Sequence, residues 1–333
     1  MLKMEQVSAR YETVSGYVNS VDNVSFEVRK NEIMGIAGES GCGKSTLLKT
    51  MYDLVDFPLE ISSGKVTLIT ESSKEKKVLT TGEIRNEWWR EISYVPQGAM
   101  HVMNPVKRVR EQFFDVIPKE KREKKAEQEK RITAYLKELE LPHEVLDAYP
   151  HQLSGGMRQR VIIALATFLG PDLVLADEPT TALDVVVQRG ILTMLSRVQK
   201  KLQNSMVIVS HDMGVHYQIT DRLGIMYAGQ MIEDGPTQEI FGNPKHPYTQ
   251  MLIKALPRLG DDTQKEGIPG LPPSLRNPPQ GCRFAARCPK ASDRCRREQP
   301  VSVSVGERHQ ASCHLLAEGR RERWKIIIYP LRI

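Results

Sequence analysis

The run Gly38-Glu39-Ser40-Gly41-Cys42-Gly43-Lys44-Ser45-Thr46 constrains this chain more than any other part of it. A hydrophobic strand-like stretch, Ile33 to Ile36, precedes it, and Ser45 to Met51 reads as a helix start, so the order is strand, glycine-rich turn, helix. That is the arrangement a phosphate-binding loop requires. Glycines let the backbone wrap an anion with its N–H groups, and the helix N-terminus adds a favourable dipole. Lys44 then reaches the β- and γ-phosphates, and Ser45 supplies an oxygen to Mg²⁺. Gly38, Ser40, Gly41, Cys42, Gly43, Lys44, Ser45 and Thr46 are therefore the candidate nucleotide contacts, with Cys42 as a small spacer.

A second strand, Leu173-Val174-Leu175-Ala176, ends in Asp177-Glu178. Two acids at the end of a buried strand are costly without a cation. Beside a phosphate loop, Asp177 would hold Mg²⁺ through water and Glu178 would polarise the water that attacks the γ-phosphate. The competing reading is a charge pair at a helix N-terminus, since Pro179 and Thr180 come next.

The 333 residues allow one large α/β domain plus an appendage. The longest apolar stretch, Val161 to Leu169, is too short to cross a bilayer, and the first ten residues have no secretory-signal pattern. A peripheral protein that stays in the cytosol is the expectation. The net charge of +6 is concentrated: Cys282 to Lys325 carry eleven Lys or Arg against five Asp or Glu, and the rest is balanced. Strand-like Val24 to Val28, Gly64 to Leu79 and Met206 to Ser210 alternate with helical Met157 to Leu169 and Val187 to Leu202. This alternation predicts a mostly parallel sheet covered on both faces. Glu71 to Lys77 suits an exposed hairpin loop, Lys119 to Arg131 a long charged surface helix, and Gly260 to Gln280 an extended connection.

Leu153-Ser154-Gly155-Gly156-Met157-Arg158-Gln159-Arg160 resembles the signature motif of the ABC ATPase family. Gln97 in YVPQ, the loop Thr181-Ala182-Leu183-Asp184 and His211 in VSHD match the family in order, and the resemblance covers nearly the whole chain. It implies a P-loop NTPase fold: a catalytic core over 1–97 and 166–259, a helical subdomain over 98–165 that meets membrane subunits, and an extension over 260–333. It also implies that Ser154, Gly155 and Gly156 donate to the γ-phosphate of an ATP held by an opposite subunit, so that one chain cannot complete a site. Gln97 would sense Mg²⁺ and the attacking water, His211 would contact the γ-phosphate and help hold Glu178, and Asp184 joins the nucleotide-site set. Tyr11 matches the aromatic that stacks on adenine, with Tyr17 as the competing choice.

Past Gly235, FGNPKHPYTQMLIKALP and IPGLPPSLRNPPQGCRFAARCP resemble the C-terminal region of the oligopeptide and dipeptide importer branch. The branch implies uptake of peptides, or of nickel chelates or oligosaccharides in some members. Its implied partners are a second, related ATP-binding subunit forming a heterodimer, two membrane permease subunits and an extracytoplasmic binding protein, at the cytoplasmic face of the membrane. Cys282, Cys288, Cys295 and Cys313 are spaced by five, six and seventeen residues, and Pro289 succeeds Cys288. In the resembling branch such cysteines can hold a 4Fe-4S cluster; a structural zinc and unligated thiols are the alternatives. Two rivals come from other classes. A soluble ABC ATPase acting on nucleic acid or ribosomes is disfavoured, because this chain has a single cassette and an importer-type tail. An iron-sulfur carrier that merely binds nucleotide leaves the hydrolytic motifs unexplained.

Overall fold

A computed structural model describes residues 1–70, 77–98, 102–256 and 267–317. Its strands are β1 (Leu2–Thr13), β2 (Gly16–Val28), β3 (Ile33–Ala37), β4 (Leu59–Thr70), β5 (Lys77–Thr80), β6 (Ile92–Val95), β7 (Leu173–Asp177), β8 (Ser205–Val209), β9 (Arg222–Tyr227), β10 (Gln230–Pro236), β11 (Ser302–Gly306) and β12 (His309–Ser312). Its α-helices are α1 (Lys44–Met51), α2 (Val109–Val116), α3 (Lys125–Glu138), α4 (Gly155–Thr167), α5 (Val185–Leu202), α6 (Met213–Ile219), α7 (Thr237–Gly242), α8 (Pro247–Lys254), α9 (Asp293–Arg297) and α10 (His314–Ala317). The chain forms two compact units, one built from Met1–Leu2, Glu27–Ile33 and Thr67–Val209, the other from Lys3–Phe26, Met34–Val66 and the residues from Ser210 onward.

In the first unit β6, β7 and β8 run parallel, with Ile92 opposite Leu173 and Leu173 opposite Ser205. Every residue of β7 and β8 is buried, which is why both read as unbroken apolar runs rather than alternating ones. Helix α4 buries residues all round its axis, Val161, Ile162, Ile163 and Ala164 in succession, and so belongs to the core. Phe168 just beyond it takes Phe113 and Tyr135 edge-on at 5.5 and 5.6 Å, with the Arg131 guanidinium 4.8 Å from its ring centre. The long charged helix starts later than its composition suggests: Lys119–Lys121 is a short 3-10 turn, and α3 begins at Lys125. The helix forms only where Gln128, Ile132 and Leu136 give it a face to bury. The expected exposed loop at Glu71 to Lys77 lies almost wholly outside the described residues.

In the second unit β3 pairs parallel with β9, Met34 opposite Arg222. From there the sheet turns antiparallel: β10 folds back on β9, β12 adds to β10 with Ala311 opposite Glu233, and β11 adds to β12. The expectation of a mostly parallel sheet is thus corrected for this unit. A two-residue connection forces the reversal, because Ala228 and Gly229 both carry positive φ, 45° and 85°, as a tight hairpin turn requires. The segment after the Pro-rich connection therefore joins the sheet instead of hanging beside it. Its Phe284 meets Tyr227 and Tyr248 with ring centres 5.3 and 5.4 Å apart, in a core where all three are buried. Each such aromatic contributes roughly 1.5–3 kcal/mol by burial. Glu233, also buried, accepts from the backbone N–H groups of Lys245 and His246 at 2.7 and 2.8 Å and meets His309 Nε2 at 2.8 Å. A buried carboxylate is tolerable because each of these contacts answers one of its lone pairs.

Candidate functional site

The phosphate loop leaves β3 and enters α1 as the residue pattern predicts. Gly43 has φ of 105°, and a β-carbon there would lie 1.9 Å from the Ser20 carbonyl oxygen, so only glycine fits. Lys44 is buried, and its Nζ donates to the carbonyls of Gly38 and Glu39 at 2.8 and 2.9 Å. The ammonium thus spans the loop that it is expected to serve. Cys42 is buried, and burial pushes its thiol above the usual range, in keeping with an inert spacer. Thr46 Oγ1 donates to the Tyr11 hydroxyl at 3.4 Å, which puts Tyr11 at the loop's helix, whereas Tyr17 carries the Arg10 guanidinium 3.7 Å over its ring. Glu39 N donates to the Tyr248 hydroxyl at 3.1 Å, a support that no sequence pattern signals.

In the other unit the acids close β7. Asp177 is buried, and the Tyr94 hydroxyl donates to its Oδ2 at 3.1 Å. Glu178 turns into positive φ, 48°, while its backbone N–H stays on the Val209 carbonyl at 2.9 Å. A non-glycine residue in that region is uncommon and marks a place where the backbone re-aims a side chain. The re-aimed carboxylate receives Thr181 Oγ1 at 2.7 Å and Gln97 Nε2 at 3.4 Å, both on Oε2. Gln97 and Glu178, 81 positions apart in sequence, are thereby brought together. Tyr94 and Thr181 sit in the family-matching runs YVPQ and Thr181–Asp184, but the residue pattern assigns neither of them a role of its own.

Ser154 caps α4, its exposed Oγ accepting from Met157 N at 3.2 Å. Gly155 and Gly156 form the helix's first turn, and a β-carbon on Gly156 would meet Val187 of α5 at 2.7 Å. Asp184 caps α5 in the same way, Oδ1 accepting from Val187 N at 2.9 Å. His211 lies exposed in the bend between β8 and α6, ahead of Asp212, which caps α6 through Gly214 N at 2.8 Å.

Cys282, Cys288, Cys295 and Cys313 line one pocket together with His246, Phe284 and His314. Burial raises the thiols of Cys282 and Cys288, and pushes that of Cys313 up to about 11. Among the described residues no group of three His, Cys, Asp or Glu side chains is drawn closely enough to hold a metal ion. The enclosed space is about 10 Å³, the room of one water.

The family profile described as "ABC transporter" matches residues 21–181, and that described as "Oligopeptide/dipeptide transporter, C-terminal region" matches 232–295. The dipeptide transport ATP-binding protein DppD of Caldanaerobacter subterraneus subsp. tengcongensis is 38% identical over 96% of this chain and 98% of its own length. The oligopeptide transport ATP-binding protein OppD of Bacillus subtilis is 36% identical over 95% of this chain and 89% of its own. Among solved structures, the ATP-binding cassette MJ0796, dimeric and bound to ADP and Pi after hydrolysis, is 27% identical with a TM-score of 0.60, over 71% of this chain and 99% of that one.

Proposed function

The chain belongs to the ATP-binding subunits of ABC transporters, and from that premise we propose that it is the ATPase that powers a peptide importer. The match of its C-terminal region to that of oligopeptide and dipeptide transporters, and the names of its relatives, support peptide as the cargo class. Its enzymatic activity is ATP hydrolysis.

The observation that carries the catalytic reading is the Glu178 carboxylate, aimed by a positive-φ turn and held by Gln97 and Thr181. In this reading Glu178 takes a proton from the attacking water as general base, and Gln97 keeps that base and the metal's water shell in register. Asp177, held by the Tyr94 hydroxyl, would serve Mg²⁺ through water. Lys44 and the backbone of Gly38 to Gly43 would hold the phosphates, Ser45 would supply an oxygen to Mg²⁺, Tyr11 would pack on the adenine, and His211 would contact the γ-phosphate. The α4 tip at Ser154 to Gly156, with Asp184 holding the backbone of Val187 beside Gly156, addresses an ATP held by a second ATP-binding subunit, a related and different chain. ATP clamped from both sides closes such a pair; hydrolysis loosens it, and the difference drives two permease subunits through the helical region 98–165. A binding protein outside the membrane delivers the cargo. No described helix is long and apolar enough to cross a membrane. Attachment at the cytoplasmic face would come through the permease subunits.

The cysteine pocket has the donor chemistry for a 4Fe-4S cluster: four thiols in apolar surroundings, within an arginine-rich segment that offsets anionic charge. A structural zinc ion is the alternative for the same four thiols, and among the described residues they are grouped for neither metal as they stand. Cys282, Cys288, Cys295 and Cys313 would hold such a cluster and fasten the fold of the C-terminal region, and the pocket, at about 10 Å³, would have to open to admit it.

Purification from membranes, with identification of every associated subunit, tests the assignment together with uptake of labelled dipeptide in cells lacking the chain. Two multi-spanning partners and lost dipeptide uptake are expected. Normal dipeptide uptake with impaired nickel or oligosaccharide uptake would overturn the cargo.

A further inference from the structure

Glu39 lies inside the phosphate loop, and its carboxylate is gripped from 248 residues away. Arg287 Nη1 donates to Glu39 Oε2 at 2.8 Å and Nη2 to Oε1 at 2.9 Å, a bidentate fork. The remaining donors of the guanidinium are also used: Nε on the Pro269 carbonyl at 2.8 Å, Nη2 on the Ile268 carbonyl at 3.1 Å and Nη1 on the Tyr227 hydroxyl at 3.2 Å. The Arg287 side chain is 5% exposed and that of Glu39 26%, so this pair is screened far less than a surface ion pair. Five donors with five acceptors leave the guanidinium a single orientation.

A second grip comes from the same turn. Arg283 donates to the Ala228 carbonyl and to Asp22, and the adjoining Gly229 N donates to the Cys42 carbonyl at 2.8 Å. The stretch from Cys282 to Cys288 thus touches the phosphate loop directly through Arg287 and, by way of the β9–β10 turn, through Arg283. Glu39 itself is tied through three groups: its carboxylate to Arg287, its N–H to the Tyr248 hydroxyl and its carbonyl to Lys44. When Lys44 swings to a phosphate it gives up that carbonyl, and the other two ties keep the loop in shape. Ordering a free loop residue carries an entropy cost that nucleotide binding must otherwise supply.

We propose that Arg287 is a positioning residue for the phosphate loop, so that the cysteine-bearing turn of the C-terminal region sets the loop's affinity for nucleotide through Glu39. This rests on the reading of Gly38 to Thr46 as the nucleotide loop.

The test compares ATP affinity of the full-length chain, and KM and kcat of the assembled transporter purified from membranes, with those of Glu39→Gln, Arg287→Lys, the double variant and Lys44→Ala. Glu39→Gln leaves the Arg287 contacts with Ile268 and Pro269 in place, so it separates the loop effect from folding of the tail. Each single variant should weaken ATP binding and raise KM about tenfold, the equivalent of one lost 1.4 kcal/mol. The kcat at saturating ATP should stay near that of the parent, and the double variant should be no worse than the weaker single. Parent-like affinity in both single variants, or additive losses in the double, overturns the proposal while Lys44→Ala still loses ATP. If Lys44→Ala also binds ATP like the parent, the reading of the loop itself falls.

Discussion

Gln97 donates its side-chain amide to Oε2 of Glu178 at 3.4 Å, and Thr181 donates its hydroxyl to the same oxygen at 2.7 Å. Substituting Glu178→Gln keeps the shape and removes the base. Nucleotide binding should persist while turnover falls by about 10²–10⁴-fold, the usual worth of a positioned acid or base. An ATP-bound dimer should then accumulate on size exclusion with ATP and Mg²⁺. Parent-level phosphate release from this variant would refute the assignment.

Gly43→Ala should abolish nucleotide binding for a reason independent of charge. Its β-carbon would fall 1.9 Å from the Ser20 carbonyl oxygen at a φ of 105°, so the loop must move before the residue fits. Fluorescent-nucleotide titration checks this, with Gly41→Ala as the comparison: Gly41 has positive φ, 76°, and open space around it, so its loss should be smaller.

The phosphate loop and the α4 cap are legible in the sequence because each is a contiguous run whose residue types answer one physical need, an anion at a helix tip. Short-range signals cannot place partners distant in sequence. Tyr94 reaches Asp177 across 83 positions and Arg287 reaches Glu39 across 248, and nothing in either local sequence names the other. The tail reads as an extended appendage because its proline-rich approach gives no hint of the two strands beyond it. The pairings of Glu233 with Ala311 and of Asp234 with Gln310, beside the Glu233–His309 contact, show β12 to be part of the sheet. The antiparallel return of β10 escapes a reading of residue types because Ala228-Gly229 is not among the strongest hairpin pairs, although its positive φ values make it one.

Protein purified without oxygen should be brown and contain iron and acid-labile sulfide if the four cysteines hold a cluster. Cys295→Ser or Cys313→Ser should remove the colour and lower the thermal midpoint, since both residues are buried and line the same pocket. Elemental analysis finding zinc without iron would exclude the cluster.

Gly35→Ala should destabilise the second unit by about 1–3 kcal/mol, the usual cost of overpacking a core. The added methyl would meet His216 Nδ1 at 2.4 Å and side chains of Leu223 and Thr220 at 2.9 Å, all inside packed structure. Denaturant titration of parent and variant reads the difference, and a change within about 0.5 kcal/mol, as is usual for surface sites, would show that the packing gives way.

Acid should weaken the fold before the carboxylates titrate, through two buried histidines. Burial lowers His216 and His246 from 6.5 to about 4, against a backbone contact of His216 with Ser210 and the charge of Glu233 near His246. Between those values the unfolded chain takes up protons that the folded chain refuses, so stability is complete above pH 6.5 and declines as pH falls toward 4. Each histidine adds up to about 1.4 kcal/mol per pH unit to that slope. Measuring unfolding free energy at several pH values from about 6.5 down to 5, above most carboxylate titration, isolates the effect. His216→Gln should lose one proton's share of the slope whatever its own stability, because slope counts protons and not contacts. An unchanged slope in that variant would mean that His216 is protonated in the folded protein, contrary to its full burial.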